Sequence, residues 1–263
     1  MTRHMPHRMP MTDSFAEMVS ANLHLLKELR LKLPPWLELA PGYERKDQSK
    51  LSAFEIQRFL CAVNVLIQNG TYGQLVDIHA EMHMQHTNDR LLPWHRVFLV
   101  ELEKKLRAVH PDVGIPYWDW TQTAEQGIPT WLQSVTPVVT TPTRTITVVR
   151  APQTPQSLAV IAANVQAILQ MTAFNQFGPA INGVHGSVHV WVGGTMSNAS
   201  TAAADPIFWM HHANLDRIWA AWQKSPQGSG KNPPLTGADA VMDPWSYTEL
   251  DTRDTATLGY KYA

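Results

Sequence analysis

Eight of the chain's twelve histidines fall into two groups, His79, His83, His86 and His95 in the first and His185, His189, His211 and His212 in the second. A solitary histidine on an apolar face is usually a core residue whose nitrogens are satisfied. Eight crowded imidazoles are a different problem, because every ring nitrogen taken from water without a partner costs free energy. The stretch GVHGSVHVWVGG, Gly183 to Gly194, spaces His185 and His189 four residues apart, which in a helix puts both rings on one face. A fold that contains these groups has to bring each one to a common point.

Periodicity supplies the helices to do so. Ser52–Asn69 opens with a capping-box pattern, Ser52 followed by Glu55, and carries Phe59, Val63 and Leu66 at helical spacing. Tyr72 to about His86 forms a second helix, on which His79, His83 and His86 lie within about 60° of one another. The segment after Pro93 forms a third, with His95 in line with Phe98 and Leu102. Further helices are expected over Ser157–Met171, in a short piece holding His185 and His189, and from Pro206, a residue suited to a first turn. On that last helix His211 and His212 both lie beside apolar positions, and spacing does not choose between them. The Thr-, Val- and Pro-rich run TPVVTTPTRTITVVRAPQTP reads as a surface β-hairpin. The expected fold is mainly α: one domain spanning 1–263, a helical bundle enclosing a dinuclear metal site, with long Pro-rich loops and a small hairpin. Residues 1–12 read as a frayed tail.

Which ions fit depends on what else the chain offers. Cys61 is the sole cysteine, so thiolate clusters and internal disulfides are excluded, and its setting in FLCAVNVL reads as a buried, inert thiol. Few carboxylates accompany the histidines, which argues against magnesium, calcium and di-iron carboxylate chemistry. Neutral imidazole suits copper or zinc, and a zinc hydrolase more often mixes in a carboxylate ligand. Only 16% of residues are charged, against about 25% in an average domain, which suits one large core. The formal net charge of -1 gives no reason to expect nucleic acid or an anionic membrane as partner. The N-terminus has no apolar segment of the signal-peptide kind and no run is long enough to span a bilayer, so the expectation is a soluble, cytoplasmic protein.

LPWHR at 92–96, PYWDW at 116–120, VHGSVHVWVGG at 184–194 and DPIFWMHHANLDRIWAAW at 205–222 resemble, in that order, the common central domain of tyrosinases and catechol oxidases, the type-3 copper proteins. RKDQSKLSAFE, from Arg45, and GYKY, ending at Tyr262, are similar to its two edges. The resemblance implies a bundle holding two copper ions, CuA and CuB, with three histidines each and dioxygen as co-substrate. Carried over by motif, CuA takes His79, His86 and His95, and CuB takes His185, His189 and His212. The family often places its second CuA histidine nine residues before the LPWHR histidine, which selects His86. His79 and His86 are only seven residues apart where relatives carry a longer loop, and His83 is the alternative ligand. By the same resemblance His211 supports a ligand or lines the pocket, and Asp216 and Asn214 orient ligands or serve ion pairs. The tryptophans at 118, 120, 191, 209, 219 and 222 fall inside helices at bundle positions and are expected to pack the core rather than stack on an aromatic substrate. No cysteine–histidine thioether is implied, because Cys61 is remote from His86.

The resemblance also implies the reaction, oxidation of phenolic or catecholic substrates to o-quinones. Hydroxylation of monophenols requires a group that takes the phenol proton, in tyrosinases commonly attributed to a Glu before the first CuB histidine and an Asn after it. Here Asn182 stands at the first of these positions and Gly186 at the second. An amide does not accept a proton at neutral pH, so diphenol oxidation is expected to exceed monophenol hydroxylation. Val190 and Met196 are expected to line the pocket. No lid domain follows GYKY, so the site is expected to be open as made or governed by a copper-delivery partner. The alternatives are an o-aminophenol oxidase, a hemocyanin-like oxygen carrier and, further off, a dizinc hydrolase.

Overall fold

The computed structural model of the chain describes residues 43–82 and 89–263. Strand β1 (Tyr43–Arg45) leads to helices α1 (Ala53–Gln68), α2 (Thr71–Glu81) and α3 (Leu91–Val109). A hairpin follows, β2 (Val138–Thr140) and β3 (Thr145–Thr147), antiparallel with Val139 opposite Ile146. Helices α4 (Pro155–Ile168), α5 (Phe174–Val192), the single-turn α6 (Ala199–Ala202) and α7 (Pro206–Lys224) complete the bundle. Strand β4 (Tyr260–Tyr262) then returns to pair in parallel with β1. The mainly helical fold and the hairpin agree with the sequence reading. The proposed tail lies outside the described residues, and among the described residues no helix is long and apolar enough to cross a membrane.

The helix starts follow local chemistry. The Ser52 hydroxyl accepts from the Glu55 N–H while the Glu55 carboxylate accepts from the Ser52 N–H, so α1 carries its capping box. Asp205 caps α7 by accepting from the Ile207 N–H at 3.0 Å, with Pro206 in the first turn. The same carboxylate takes two hydrogen bonds from Arg150, whose guanidinium also donates to the carbonyls of Leu132 and Val135. One buried ion pair thus fixes the start of α7 against the loop that precedes the hairpin.

Four details differ from the sequence reading. Helix α2 ends at Glu81, with Met82 as its C-cap, short of the His86 expected from periodicity. Helix α3 begins at Leu91, ahead of Pro93, because a first-turn proline gives up only an N–H that has no helical partner anyway. Helix α5 is a 19-residue helix with Pro179 inside it rather than a short piece. An interior proline costs about 3 kcal/mol. The buried stripe Phe174, Phe177, Ile181, Val184 and Val188 offsets this, at roughly 1.5–3 kcal/mol for each large side chain. Finally, Cys61 is exposed. Phe59, Ala62, Val63 and Leu66 define the inner face of α1, and Cys61 lies about 150° around the helix from the middle of that stripe.

The two edges of the domain close on a buried charge cluster. Arg45, on β1, donates from Nε and Nη2 to Glu103 of α3 and from Nη1 to Asp216 of α7 at 2.9 Å. Arg96 of α3 donates to Asp216 at 2.5 Å, and the hydroxyls of Tyr260 and Tyr262 donate to the same carboxylate. Burial pushes the Asp216 carboxyl up, but Arg96 and then Arg45 more than offset this and hold it below the ordinary carboxylate value. The cluster joins β1 and β4 to α3 and α7, which carry His95 and His212.

Candidate metal centre

Four helices deliver histidines to the interior: His79 from α2, His95 from α3, His185 and His189 from α5, and His211 and His212 from α7. All six are buried. The His95 and His212 rings stack with centroids 4.1 Å apart, His79 and His95 are 5.5 Å apart, and His185 lies 4.5 Å from His189 and 4.9 Å from His212. Phe208 sits among them, its ring 4.7 Å from His79 and 4.2 Å from His212. The described members of the two groups, separated in sequence, are therefore one site in space. His83 and His86 lie outside the described residues.

Hydrogen bonds decide what each ring presents. A carbonyl oxygen can only accept, so a ring nitrogen bonded to one must carry the proton, and in a neutral imidazole the other nitrogen then has the lone pair. By this rule Nδ1 donates in His79 to the Ala199 carbonyl at 2.9 Å, in His95 to Leu91 at 2.8 Å, and in His189 to Met196 at 2.8 Å. Nδ1 of His185 likewise donates to Oδ1 of Asn182 at 3.2 Å. In all four, Nε2 is the lone-pair nitrogen, the form a metal needs. His211 is arranged the other way: its Nδ1 accepts from the Trp120 indole N–H at 3.0 Å, so its Nε2 carries the proton.

Local backbone geometry holds these partners in place. Helix α5 ends at Gly193 and Gly194, with φ of 67° and 53°, values that favour glycine. A Cβ on Gly194 would come within 2.2 Å of the Val149 carbonyl oxygen. The turn this permits brings Met196 back over α5, where its carbonyl meets His189. Burial, then the neighbouring imidazoles, push His212 well below the ordinary histidine value; burial and His189 do the same to His211. Both rings are neutral as a result.

The other residues named from sequence are placed as follows. Asn182 bonds His185 and lines a cavity of about 110 Å³ with Asp89, Leu91 and Phe174. Gly186 is half-buried, and a Cβ there would meet nothing within 4 Å. Val190 is 56% exposed, while the Met196 side chain is buried and its carbonyl serves His189. Asn214 accepts from Arg217, and Asp216 serves the arginine cluster. The tryptophans at 118, 120, 191, 209, 219 and 222 are core residues. Sequence reasoning missed the polar task of Trp120 and the position of Phe208 between the histidines; neither leaves a spacing signal.

Ligand nitrogens of His185, His189, His211 and His212 all lie within 4.8 Å of one another. The His189 and His212 Nε2 atoms are 3.3 Å apart; the former holds a lone pair, so in the metal-free chain the latter carries the proton between them, which an ion bound there would replace. Neutral imidazoles, no carboxylate in the group and converging Nε2 atoms fit a borderline-soft cation such as copper.

The family model described as the common central domain of tyrosinase matches residues 69–167 and 133–225. The tyrosinase of Streptomyces galbus is 32% identical over 272 residues, covering 83% of this chain and 98% of that protein. The tyrosinase of Streptomyces glaucescens is 30% identical over 255 residues, covering 78% and 93%. A functional unit of octopus hemocyanin shares the fold, with a TM-score of 0.72 at 23% identity over 84% of this chain and 68% of that one. By these matches and this site, the chain belongs to the tyrosinase family, copper-dependent phenol oxidases that use two copper ions and dioxygen.

Proposed function

We propose that the chain oxidises o-diphenols to o-quinones, with monophenol hydroxylation much weaker. In this reading His185, His189 and His212 hold one copper, and His79, His86 and His95 hold the other, with His83 the alternative to His86. The support is the tautomer pattern: Nδ1 of His79, His95, His185 and His189 is committed to an oxygen acceptor, which turns Nε2 inward as a ligand. Copper, when bound, supplies the redox chemistry and the place for dioxygen. Two catechols each give up two electrons and two protons, and one dioxygen takes all four of each to become two waters.

The weakness toward monophenols rests on Asn182 and Gly186. The Asn182 amide is a hydrogen-bond partner of His185, and it offers no basic oxygen to a phenol proton. Oxygen uptake on paired monophenol and catechol substrates tests this, and equal turnover on both would overturn it. An oxygen carrier is the second reading, supported by the fold shared with the hemocyanin unit; catechol turnover by the copper-loaded chain separates the two. Delivery of copper by a separate protein belongs to the same proposal. Full loading of the purified chain by cuprous salt alone would remove the need for it.

A further inference from the structure

Distance does not explain how this centre limits itself to three imidazoles on the α5–α7 side. Four histidines, His185, His189, His211 and His212, offer nitrogens within 4.8 Å of one another. His211 is fully buried, its ring parallel to that of His185 with centroids 5.5 Å apart and 5.1 Å from that of His189. Among the described residues its Nε2 has no hydrogen-bond partner. On position alone His211 is as eligible as His212.

Trp120 breaks the tie. An indole nitrogen only donates, and Trp120 and His211 are both 0% exposed, so the Trp120–His211 bond has no competing water. The loop that presents Trp120 is fastened to α7 at two other points. The Trp118 N–H donates to the Met210 carbonyl at 3.1 Å, and Arg217 pairs with Asp119 at 2.6 Å. Trp118, Asp119 and Trp120 therefore all hold one helix, at Met210, Arg217 and His211, and the indole N–H arrives in fixed register with His211.

We propose that Trp120 is a positioning residue that selects the ligand set. By donating to Nδ1 it keeps the His211 proton on Nε2 and withholds that ring from copper, because one nitrogen is occupied by the indole and the other carries the proton. A fourth imidazole on this side would fill the position that dioxygen and substrate need; the indole prevents it. The tautomer stands on hydrogen bonding alone, whereas its consequence for copper rests on the function proposed above.

Long-range proton–nitrogen NMR on the full chain, metal-free and in the diamagnetic dicuprous form, reads the tautomer directly. In both forms His211 is expected to show a protonated Nε2 and a bare Nδ1, with a coupling across the hydrogen bond to the Trp120 indole nitrogen. Metal-free His189 is expected to show the reverse pattern. In Trp120→Phe the Nε2 proton signal of His211 is lost, and in the dicuprous variant that nitrogen acquires a copper-induced shift. A proton on Nδ1 of His211 in the unaltered protein overturns the proposal, as does an unchanged His211 in Trp120→Phe. If that variant does not fold, the cross-bond coupling in the unaltered protein still decides, and its absence counts against the proposal. A chain that binds no copper but keeps the tautomer would sink the proposed function and leave the Trp120–His211 assignment standing.

Discussion

Replacing Asp216 with Asn keeps the shape of the central acceptor and removes its charge. Two guanidinium groups, Arg45 and Arg96, face two carboxylates, Glu103 and Asp216, in a cluster whose side chains are at most 4% exposed. In Asp216→Asn the cluster carries one uncompensated positive charge out of water. Removing one partner of a buried pair costs about 3–5 kcal/mol. Gln223 and the Thr252 carbonyl continue to accept from Arg96, which places the loss near the lower end. Against a total stability of about 5–15 kcal/mol this is a large share, and it corresponds to a drop in Tm on the order of 10 °C. Thermal and urea melts of the metal-free chain measure it. Lys46→Met, which breaks a pair whose side chains are 41% and 35% exposed, is the control and should cost less than about 1 kcal/mol. The effect has a pH signature. The folded carboxyl of Asp216 titrates below its unfolded value, so its stabilisation is fully present above the unfolded value, about 4, and is lost as pH falls through the folded one. The gap between the unaltered chain and Asp216→Asn is thus widest near neutrality and closes in acid. A neutral-pH loss no larger than that of Lys46→Met would refute the reasoning.

Three other outcomes are expected. Asn182→Glu combined with Gly186→Asn, the latter entering open space, should raise the ratio of monophenol to catechol turnover by at least about tenfold, read as oxygen uptake; Asp89→Asn tests separately whether the carboxylate across the same cavity contributes. Cys61 should react with a thiol reagent at full stoichiometry in the folded protein, and Cys61→Ser should leave copper content and Tm unchanged. Gly194→Ala places a Cβ against the Val149 carbonyl at a positive φ, which should cost about 1–3 kcal/mol in a urea melt and weaken the His189 bond to Met196, seen as a shifted Nδ1 resonance.

What could be read from the sequence was what short-range rules govern. The capping box of α1, the Pro206 start of α7 and the hairpin are each decided within a few residues, and each is found where expected. Helix α5 was foreseen only around its histidines, because Gly178, Pro179, Gly183 and Gly186 break the local helix signal that tertiary burial restores. Cys61 lies in an apolar run, but its angle on α1, opposite the buried face of Phe59, Ala62, Val63 and Leu66, decides its exposure. The Asp216 cluster and the Trp120–His211 bond span 171 and 91 residues, separations over which no pattern of spacing carries information.

The long-range contacts are also what make the histidines a centre rather than a cluster. Three of the imidazoles are oriented by backbone carbonyls, Ala199, Leu91 and Met196, so their tautomers are set by where helices end and turns close, before any ion arrives. Buried charge holds α7, the helix that faces them: Arg150 and Asp205 at its start, Arg45 and Arg96 on Asp216 further along it. An isolated α5 or α7 peptide has the spacing of His185 and His189, or the His211–His212 pair, without the carbonyls and indole that decide which nitrogen faces the metal. Its imidazoles would sample both tautomers, and ligation would have to select among them at a cost in affinity. In the folded chain that selection is already made.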